Sequence, residues 1–335
     1  MNERKLKEYF NGFSDLKVLI IGDVMVDSYM WGRVSRISPE APVPVVAIHH
    51  KENRLGGAAN VALNVQALGA TPVLCSVIGV DEKGSLFMDL MKQQKLSNKG
   101  ILKSRGRITT VKTRVISSNH QMLRVDEEMD ENVSGQETRQ FLHVITYLLK
   151  KERINIVIFE DYDKGLITPE LINKVVTEAR RKKIPVVVDP KKKNFNSYKN
   201  VTLFKPNIKE LKEGLKVEFD HTSPADLSRA IAILKHKLKI EMALITLSEQ
   251  GIFISAGDTE KIIPAHIRNI ADVSGAGDTV VSTAAVCLAA GMNAEQVASI
   301  ANLAGGLVCE KVGVVPVNKE QLLAEARALC KRKLL

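Results

Sequence analysis

The chain of 335 residues has few cysteines, few aromatic residues and no long apolar run. Its four cysteines, at positions 75, 287, 309 and 330, lie far apart and form no C-x-x-C pair. This spacing favours buried or inert thiols over disulfides or zinc ligands and is typical of a reducing cytoplasm. No apolar stretch reaches transmembrane length, and the charged start at 1–10 does not resemble a secretory signal. The sequence therefore predicts a cytoplasmic protein with no membrane partner.

Aromatic residues account for only 4% of the chain, which limits its capacity to stack on nucleic-acid bases. The formal net charge is +10, from 48 basic and 38 acidic residues. The basic residues are spread out, and the short clusters at 180–183 and 191–193 contain no aromatic residue. This pattern favours a solvated basic surface, with some lysines binding phosphorylated small molecules, over a nucleic-acid interface.

Two common nucleotide-binding motifs are also missing. The sequence contains no Walker A match and no G-x-G-x-x-G, so neither a P-loop nor a Rossmann dinucleotide site is supported. The seven histidines show no metal-ligand spacing, and we assign none of them to catalysis.

The chain does contain a regular alternation of apolar segments. Leu16–Ile21 is a continuous apolar run that ends at Gly22-Asp23, as a buried parallel strand does. From Ser134 onward predicted helices alternate with predicted strands, which implies a parallel sheet with helices on both faces. No repeat or linker divides the chain, so we predict a single α/β domain over residues 1–335. The predicted segments are helices at 57–68, 134–151, 169–182, 207–215, 224–238, 277–290, 294–312 and 319–331, and strands at 154–159, 185–188, 201–204 and 242–246.

Two further segments predict a separate small sheet. Val43–Ile48 and Val111–Ser117 are rich in β-branched residues and lie between turn signals. No long helical segment joins them to the first strand, so we expect them outside the main sheet. The sequence thus predicts a β lid drawn from about 28–50 and 107–126.

The most informative stretch is Asp272-Val-Ser-Gly-Ala-Gly-Asp278-Thr279, which precedes an apolar run. The turn Gly275-Ala276-Gly277 at a helix N-terminus would present unhindered backbone N–H groups to an anion. Asp278 in the first helical turn would stand beside that anion, which suits deprotonation of a hydroxyl that attacks a phosphoryl group. A second interpretation stays open here, in which the glycines shape a tight turn and Asp278 caps the helix.

Polar residues follow the predicted strands at five places. In open parallel sheets ligands bind beyond the carboxyl ends of the strands, so these residues are candidates for one common rim. Each of them singly fits a turn residue or a helix cap, but their recurrence favours a site. They are Asp23 and Asp27, Asp161 and Lys164, Asp189 and Lys191, Asn207 and Glu210, and Thr246 with 248–251.

Two short motifs suggest particular ligands. Asn207 and Glu210 lie one helical turn apart on the same face, where they could hold Mg²⁺ directly or through water. The same spacing fits a capping box, and the two roles are compatible. Gly56-Gly57 opens a helix and lets a ligand approach the backbone closely, with Asn60 on the same side for sugar hydroxyls.

Together these residues resemble the ribokinase-like (PfkB) carbohydrate kinases over nearly the whole chain. Two signatures carry the resemblance, Gly56-Gly57 with Asn60 and the stretch from Asp272 to Asp278. It narrows to the kinase module of the bifunctional heptose-phosphate kinase/ADP-heptose synthases, and the S-R-I-S-P-E-A-P block at 35–42 discriminates best against ribokinases and fructokinases. The stretches that match this subgroup are 22–27, 34–44, 56–62, 161–165, 189–191 and 248–251.

The resemblance implies a fold and a set of site residues. The fold is a ribokinase-like three-layer α/β/α sandwich with a mostly parallel sheet and a small β-sheet lid. Asp278 would be the catalytic base, with Gly275, Ala276 and Gly277 as the anion hole. The implied sugar-side residues are Asp27, Gly56, Gly57 and Asn60, with Lys112, Arg114 and, less directly, Arg36 and Lys191 for a sugar phosphate. The implied ATP-side residues are Asn207, Glu210, Thr246, Gly251 and Lys191, with Glu210 holding Mg²⁺ directly or through water.

The implied reaction is ATP-dependent phosphorylation of the anomeric hydroxyl of D-glycero-D-manno-heptose 7-phosphate to the 1,7-bisphosphate. A kinase for another substrate, such as ribose, fructose or fructose 6-phosphate, and a catalytically silent sugar-binding regulator are the alternatives. The resemblance also implies a homodimer through the lid strands and, at this chain length, a kinase without a nucleotidyltransferase domain. Two departures are Ser274, where threonine is common, and Leu247, where we expect an arginine that contacts the nucleotide.

Overall fold

The computed structural model describes residues 1–118 and 120–332. None of the helices in these residues has the length and hydrophobicity needed to cross a membrane. The α-helices within them are α1 (Glu3–Gly12), α2 (Ala58–Ala67), α3 (Glu82–Gln93), α4 (Gly135–Lys151), α5 (Pro169–Arg181), α6 (Ile208–Leu215), α7 (Pro224–Leu238), α8 (Ala276–Ala289), α9 (Ala294–Cys309) and α10 (Lys319–Lys331). The strands within them are β1 (Lys17–Gly22), β2 (Val24–Ile37), β3 (Pro44–Gly57), β4 (Thr71–Gly79), β5 (Gly100–Ser104), β6 (Val111–Ser117), β7 (His120–Glu127), β8 (Ile156–Glu160), β9 (Val186–Asp189), β10 (Leu203–Phe204), β11 (Met242–Thr246), β12 (Ile252–Ala256) and β13 (Thr259–Ile263).

The main sheet is mostly parallel and has helices on both faces. Its order in the described residues is β13-β12-β11-β10-β9-β8-β1-β4-β5, with an antiparallel hairpin, β12–β13, at one edge. Side chains of β1 alternate between the faces, so Val18 and Ile20 pack with α2, α8 and α9. Leu19 and Ile21 pack on the other face with α4, α5 and α7. The predicted three-layer α/β/α fold class is confirmed.

Residues 71–104 supply elements that the sequence pattern did not predict. Strand β4, helix α3 and strand β5 extend the sheet beyond β1. The apolar run of β4 is interrupted by Ser76, whose hydroxyl donates to the carbonyl of Gly22 at 2.7 Å. Helix α3 buries only Gly84, Phe87 and Met91, so its amphipathic pattern is weak.

One predicted helix boundary is wrong. The helix expected over 294–312 ends at Cys309, and a turn follows it. Within that turn the Gly313 N–H donates to Asp272 and the Val314 N–H donates to the Tyr29 hydroxyl. These bonds hold residues 313–314 against the lid and the glycine turn, where a longer helix would not reach them.

The carboxyl ends of the central strands form one polar edge. Gly22 pairs with Glu160, and Glu160 pairs with Asp189, so β1, β8 and β9 end side by side. Strand β10 ends next to them at Phe204, which places Lys205 at the same edge. Gly277, in the first turn of α8, lies beside Asp189 and Lys205. The sheet therefore delivers its terminal charges to the start of α8.

The second sheet begins in the chain directly after this edge. Strand β2 begins at Val24, only two residues after β1 ends, and pairs antiparallel with β3 and parallel with β6. The order in the described residues is β3-β2-β6-β7. We call this sheet the lid; its strands occupy 24–37, 44–57, 111–117 and 120–127, compared with the expected ranges 28–50 and 107–126.

Candidate active site

A glycine in the left-handed region begins helix α8. Gly275 is the N-cap residue, with φ +79°, and makes no side-chain capping bond because it has no side chain. Of the three amides expected to form an anion hole, the Ala276 N–H donates to the carbonyl of Val273 at 3.2 Å. The carboxylate of Asp272 accepts from the N–H and the hydroxyl of Ser274 at 2.9 and 2.8 Å, which stabilises the approach to the turn.

Asp278 does not act as a helix cap in the structure. Its Oδ2 accepts a hydrogen bond from Asn60 Nδ2 at 2.7 Å, and its Oδ1 accepts one from the Tyr162 hydroxyl at 2.7 Å. The residue is only 6% exposed. The carboxylate therefore points away from its own helix, toward residues that follow β3 and β8.

Burial governs the protonation of this carboxyl. Loss of hydration raises the pKa of Asp278 to about 6, while the hydrogen bonds from Asn60 and Tyr162 favour the charged form. The charge of Asp189 adds to the increase in pKa, and the charge of Lys205 opposes it. A carboxylate with a pKa near neutrality is a better proton acceptor than an ordinary surface aspartate.

Buried charges lie side by side at the sheet edge. Lys205 Nζ pairs with Asp189 Oδ2 at 2.8 Å, and both side chains are buried. Glu160 is 1% exposed, and its Oε2 has no hydrogen-bond partner among the described residues. Burial, with the charges of Asp189 and Asp278, raises the pKa of Glu160 well above its usual value. Lys205 and Glu160 were not among the predicted site residues, although both lie at strand ends, where ligands bind in open parallel sheets.

Asn207 and Glu210 form the capping box that was one of their two expected roles. Asn207 Oδ1 accepts from the Glu210 N–H at 2.8 Å, and Glu210 Oε2 accepts from the Asn207 N–H at 2.9 Å. Glu210 Oε1 also pairs with Lys191 Nζ. No group of three or more potential metal ligands occurs in residues 1–118 and 120–332. The Glu210 carboxylate and the Asn207 amide still fit Mg²⁺, because this ion keeps most of its waters and takes only one or two oxygens from the protein.

The remaining residues expected on the ATP side lie near this box. Thr246 ends β11 and forms an isolated bridge with Asn207. Lys191 Nζ lies over the ring of Tyr162, 5.7 Å from its centroid. Leu247 is buried in the apolar layer that contains α7, so it contributes packing where an arginine was expected.

Among the residues expected on the sugar side, Gly56 and Gly57 are so closely packed by other protein atoms that neither position has room for a side chain. A Cβ on Gly56 would come within 2.1 Å of Asp27 Oδ2, and a Cβ on Gly57 within 2.5 Å of the Asp23 carbonyl oxygen. Gly57 also has φ +59°. Asn60 is fully buried on Asp278, so its amide supports the carboxylate.

Two of the expected basic residues lie on lid strand β6. Arg114 Nη1 contacts Asp27 Oδ1 at 2.5 Å, and its guanidinium lies 5.3 Å from the centroid of the Tyr29 ring. Lys112 Nζ lies 3.9 Å from Asp126 and 3.8 Å from Glu128. Arg114 and Asp27 are thus brought together, with Lys112 two residues along the same strand.

Arg36 is not brought to this site within the chain. It lies near the far end of β2, exposed and paired with Val45, nine residues beyond Asp27 on the same strand. At about 3.3 Å per residue this separation is roughly 30 Å. Arg36 and Asp27 therefore lie toward opposite ends of one extended strand, and the expected role of Arg36 toward a sugar phosphate stays a prediction.

A family model described as pfkB family carbohydrate kinase matches residues 15–321. The chain belongs to this family. Members of this family are carbohydrate kinases, phosphotransferases with an alcohol group as acceptor, and the family uses ATP, usually with Mg²⁺.

Curated relatives share this similarity over most of the chain. "Bifunctional protein HldE" of Geotalea uraniireducens (strain Rf4) is 37% identical over 326 residues, which cover 97% of this chain and 66% of the relative. The protein of the same name from Helicobacter pylori (strain HPAG1) is 38% identical over 307 residues, which cover 91% of this chain and 65% of the relative. The chain thus spans about two thirds of the length of these relatives.

Solved structures support the fold. Phosphofructokinase-2 from Escherichia coli in complex with potassium superimposes with a TM-score of 0.77 at 17% identity, over 95% of this chain and 99% of that one. Arabidopsis thaliana ribokinase complexed with ribose and ATP gives 0.71 at 18% identity, over 92% and 98%. At these identities the likeness concerns the architecture of the kinases alone.

Gly251, expected on the ATP side, has a steric requirement of its own. Its φ is +96°, and a Cβ there would come within 2.1 Å of the Ile263 carbonyl oxygen. We expect Gly251→Ala to lower the free energy of unfolding by about 3 kcal/mol, because the clash adds to the strain of positive φ. Gly257→Ala is the matched control, since Gly257 has φ +55° with nothing within 4 Å of a Cβ, and should cost about 1 kcal/mol. Urea unfolding measures both, and equal losses would contradict the steric interpretation.

Proposed function

We propose that this kinase transfers the γ-phosphoryl group of ATP to the anomeric hydroxyl of D-glycero-D-manno-heptose 7-phosphate and forms the 1,7-bisphosphate. Such a product is a precursor for ADP-heptose and the lipopolysaccharide core, and we place the reaction in the cytoplasm. The observation that carries the chemistry is Asp278, a buried carboxylate held by two side chains beside a glycine turn at a helix N-terminus. The proposal concerns the kinase reaction alone.

Asp278 acts as the general base. Its carboxylate accepts the proton of the sugar hydroxyl as that oxygen bonds to the γ-phosphorus, and the bond between the γ-phosphorus and the β–γ bridging oxygen breaks to release ADP. A pKa of about 6 leaves the carboxyl mostly ionised at neutral pH, as this role needs. The positive end of the α8 dipole, at Gly275 to Gly277, favours the negative charge that develops on the transferred group.

Lysines at the sheet edge suit the phosphates of ATP. Lys205 and Lys191 lie at the ends of neighbouring strands, close to Asn207 and Glu210. Phosphoryl transfer depends mainly on positioning and charge neutralisation, which cations at this edge supply. Glu210 would hold Mg²⁺ through water, and the ion would neutralise charge on the β- and γ-phosphates.

Basic residues of the lid favour an acceptor that carries a phosphate group. Arg114 places a guanidinium against Asp27, so one residue of the pair can hold a sugar hydroxyl and the other a phosphate oxygen. Lys112 adds a second cation on the same strand. The choice of a heptose rests on the S-R-I-S-P-E-A-P block and on the HldE relatives, which are bifunctional heptose kinase/ADP-heptose synthases.

Replacement of Asp278 tests the base. We expect Asp278→Asn to keep the fold and ATP binding while turnover falls by roughly two to four orders of magnitude, since the amide cannot accept the proton. Asp226→Asn is the control, because Asp226 lies on α7 and pairs only with Arg229 among the salt bridges it makes in the described residues; its turnover should be unchanged. Steady-state kinetics and nucleotide titration measure both effects. Near-normal turnover in Asp278→Asn would exclude the base role.

A panel of acceptors tests the substrate. We expect single-turnover transfer from labelled ATP to heptose 7-phosphate to exceed transfer to fructose 6-phosphate, fructose and ribose by at least about tenfold, because Arg114 and Lys112 engage a phosphate on a longer sugar. A higher rate with another sugar would overturn the heptose assignment and keep the kinase. Absence of transfer to every sugar would favour a silent sugar-binding regulator instead.

We also propose a homodimer formed through the lid. Some structures of the family are oligomeric, such as the tetrameric inhibited form of Escherichia coli phosphofructokinase-2. The lid exposes edge strands, which proteins commonly cover. It also exposes large apolar side chains on its strands and connections, namely Ile37, Val43, Ile48, Met122, Leu123 and Val125.

Charges on this surface test the dimer. Leu123 and Val125 alternate along β7 and share one face of the lid. We expect the double variant Leu123→Asp/Val125→Asp to reduce the solution mass from twice to once the chain mass of 36.9 kDa, because buried unpaired carboxylates oppose association. Ile233→Asp, at an equally exposed apolar residue on α7, should leave the mass unchanged. Light scattering after size exclusion decides, and a wild-type mass of one chain would refute the dimer.

A further inference from the structure

Tyr162 contacts the reactive carboxylate directly. It lies two residues after the end of β8, and its hydroxyl donates to Asp278 Oδ1 at 2.7 Å. Asn60 donates to the other oxygen, Oδ2, at 2.7 Å. Each carboxylate oxygen can accept a further bond, so these two donors fix the carboxylate and leave it able to accept a proton.

The position of Tyr162 is fixed by buried carboxylates beneath its loop. Its N–H donates to Asp23 Oδ2 at 3.0 Å, and the Lys164 N–H donates to the same atom at 3.2 Å. The neighbouring Asp161 accepts from the Tyr198 hydroxyl at 2.7 Å. Asp23 and Asp161 are both almost fully buried. The phenol therefore reaches Asp278 from a backbone that has little freedom to move.

Because other charges surround Asp278, the hydrogen bond from the Tyr162 hydroxyl matters for the protonation of this carboxyl. Glu160 is the last residue of β8 and Asp189 the last of β9, and both carboxylates act electrostatically on the site. The positive charge of Lys205, just after β10, has the opposite effect. Burial, followed by the charge of Asp278, raises the pKa of the Tyr162 phenol well above its usual value, so it remains a neutral donor. A hydrogen bond donated by a neutral phenol stabilises the ionised carboxylate without adding charge.

We propose that Tyr162 is a positioning residue, whose hydroxyl holds Asp278 Oδ1 so that the carboxylate stays ionised and oriented toward the acceptor hydroxyl. This inference rests on the proposed role of Asp278 as the base. The sugar is not part of the inference, so it applies to whichever acceptor the kinase prefers.

The pH dependence of kcat/KM tests it, because that profile reports ionisation in the free enzyme. In the wild type the acidic limb should lie near pH 6, where Asp278 gains its proton. Removal of a donor to the charged form raises the pKa of a carboxyl, so in Tyr162→Phe the limb should move up by about one pH unit. The assay uses the acceptor that the wild type phosphorylates fastest.

Tyr198→Phe is the matched control. It also removes a buried phenol that donates to a carboxylate at 2.7 Å, but this carboxylate is Asp161 and not Asp278. A structural effect alone would lower the melting temperature and activity of both variants and leave the acidic limb in place. We expect the limb to move only in Tyr162→Phe.

A second variant covers the case in which Tyr162→Phe does not fold. Site-specific 3-fluorotyrosine at position 162 has a more acidic phenol that donates more strongly, so the limb should move to lower pH. An unshifted limb in the folded variants would overturn the inference. Asp278→Asn separates this outcome from failure of the proposed function: loss of turnover there with an unshifted limb in the Tyr162 variants refutes the positioning role alone, whereas retained turnover refutes the base itself.

Discussion

The arrangement of the site depends on keeping one carboxylate charged after its water has been removed. Asp278 lies at the start of α8, where the sheet edge, α2 and the loop after β8 meet. An isolated carboxylate in such a place would take up a proton. Two neutral donors, one amide and one phenol, provide the hydrogen bonds that water would otherwise supply. Because these donors come from segments far apart in the chain, the carboxylate acquires them only in the folded protein.

The parallel sheet explains why so many charges occur at this one edge. Strands β1, β8, β9 and β10 run in the same direction and end in register, so the residue after each strand arrives at a common line. Lys205 and Asp189 form a buried ion pair there. Glu160 beside them retains an unpartnered oxygen among the described residues. The fold therefore holds these charged side chains in fixed positions, which is the preorganisation that the proposed phosphate site requires.

The sequence predicted the parts of the molecule whose signals are local. The helix–strand alternation after Ser134 gave the three-layer fold, and the glycine turn with Asp278 gave the start of α8. Tyr162 was not identified, because only the tertiary fold places its hydroxyl on Asp278, 116 residues away in sequence. The sequence block that contains Arg36 did not reveal that an extended strand separates this residue from Asp27. The segment 71–104 was missed because Ser76 interrupts the apolar run of β4 and because helix α3 buries few of its 12 residues.

The hairpin that β2 and β3 form in the lid has two regions that tolerate substitution to different extents. Near its base, Gly56 lies against Asp27 so closely that any side chain would displace the carboxylate. Farther out, residues 35–50 are mostly exposed and make no part of the main sheet. Substitutions can therefore accumulate in the outer part of the hairpin without disturbing the phosphoryl-transfer machinery. The surface that this hairpin offers to other molecules can thus diverge between related proteins while the close packing of Gly56 on Asp27 is retained.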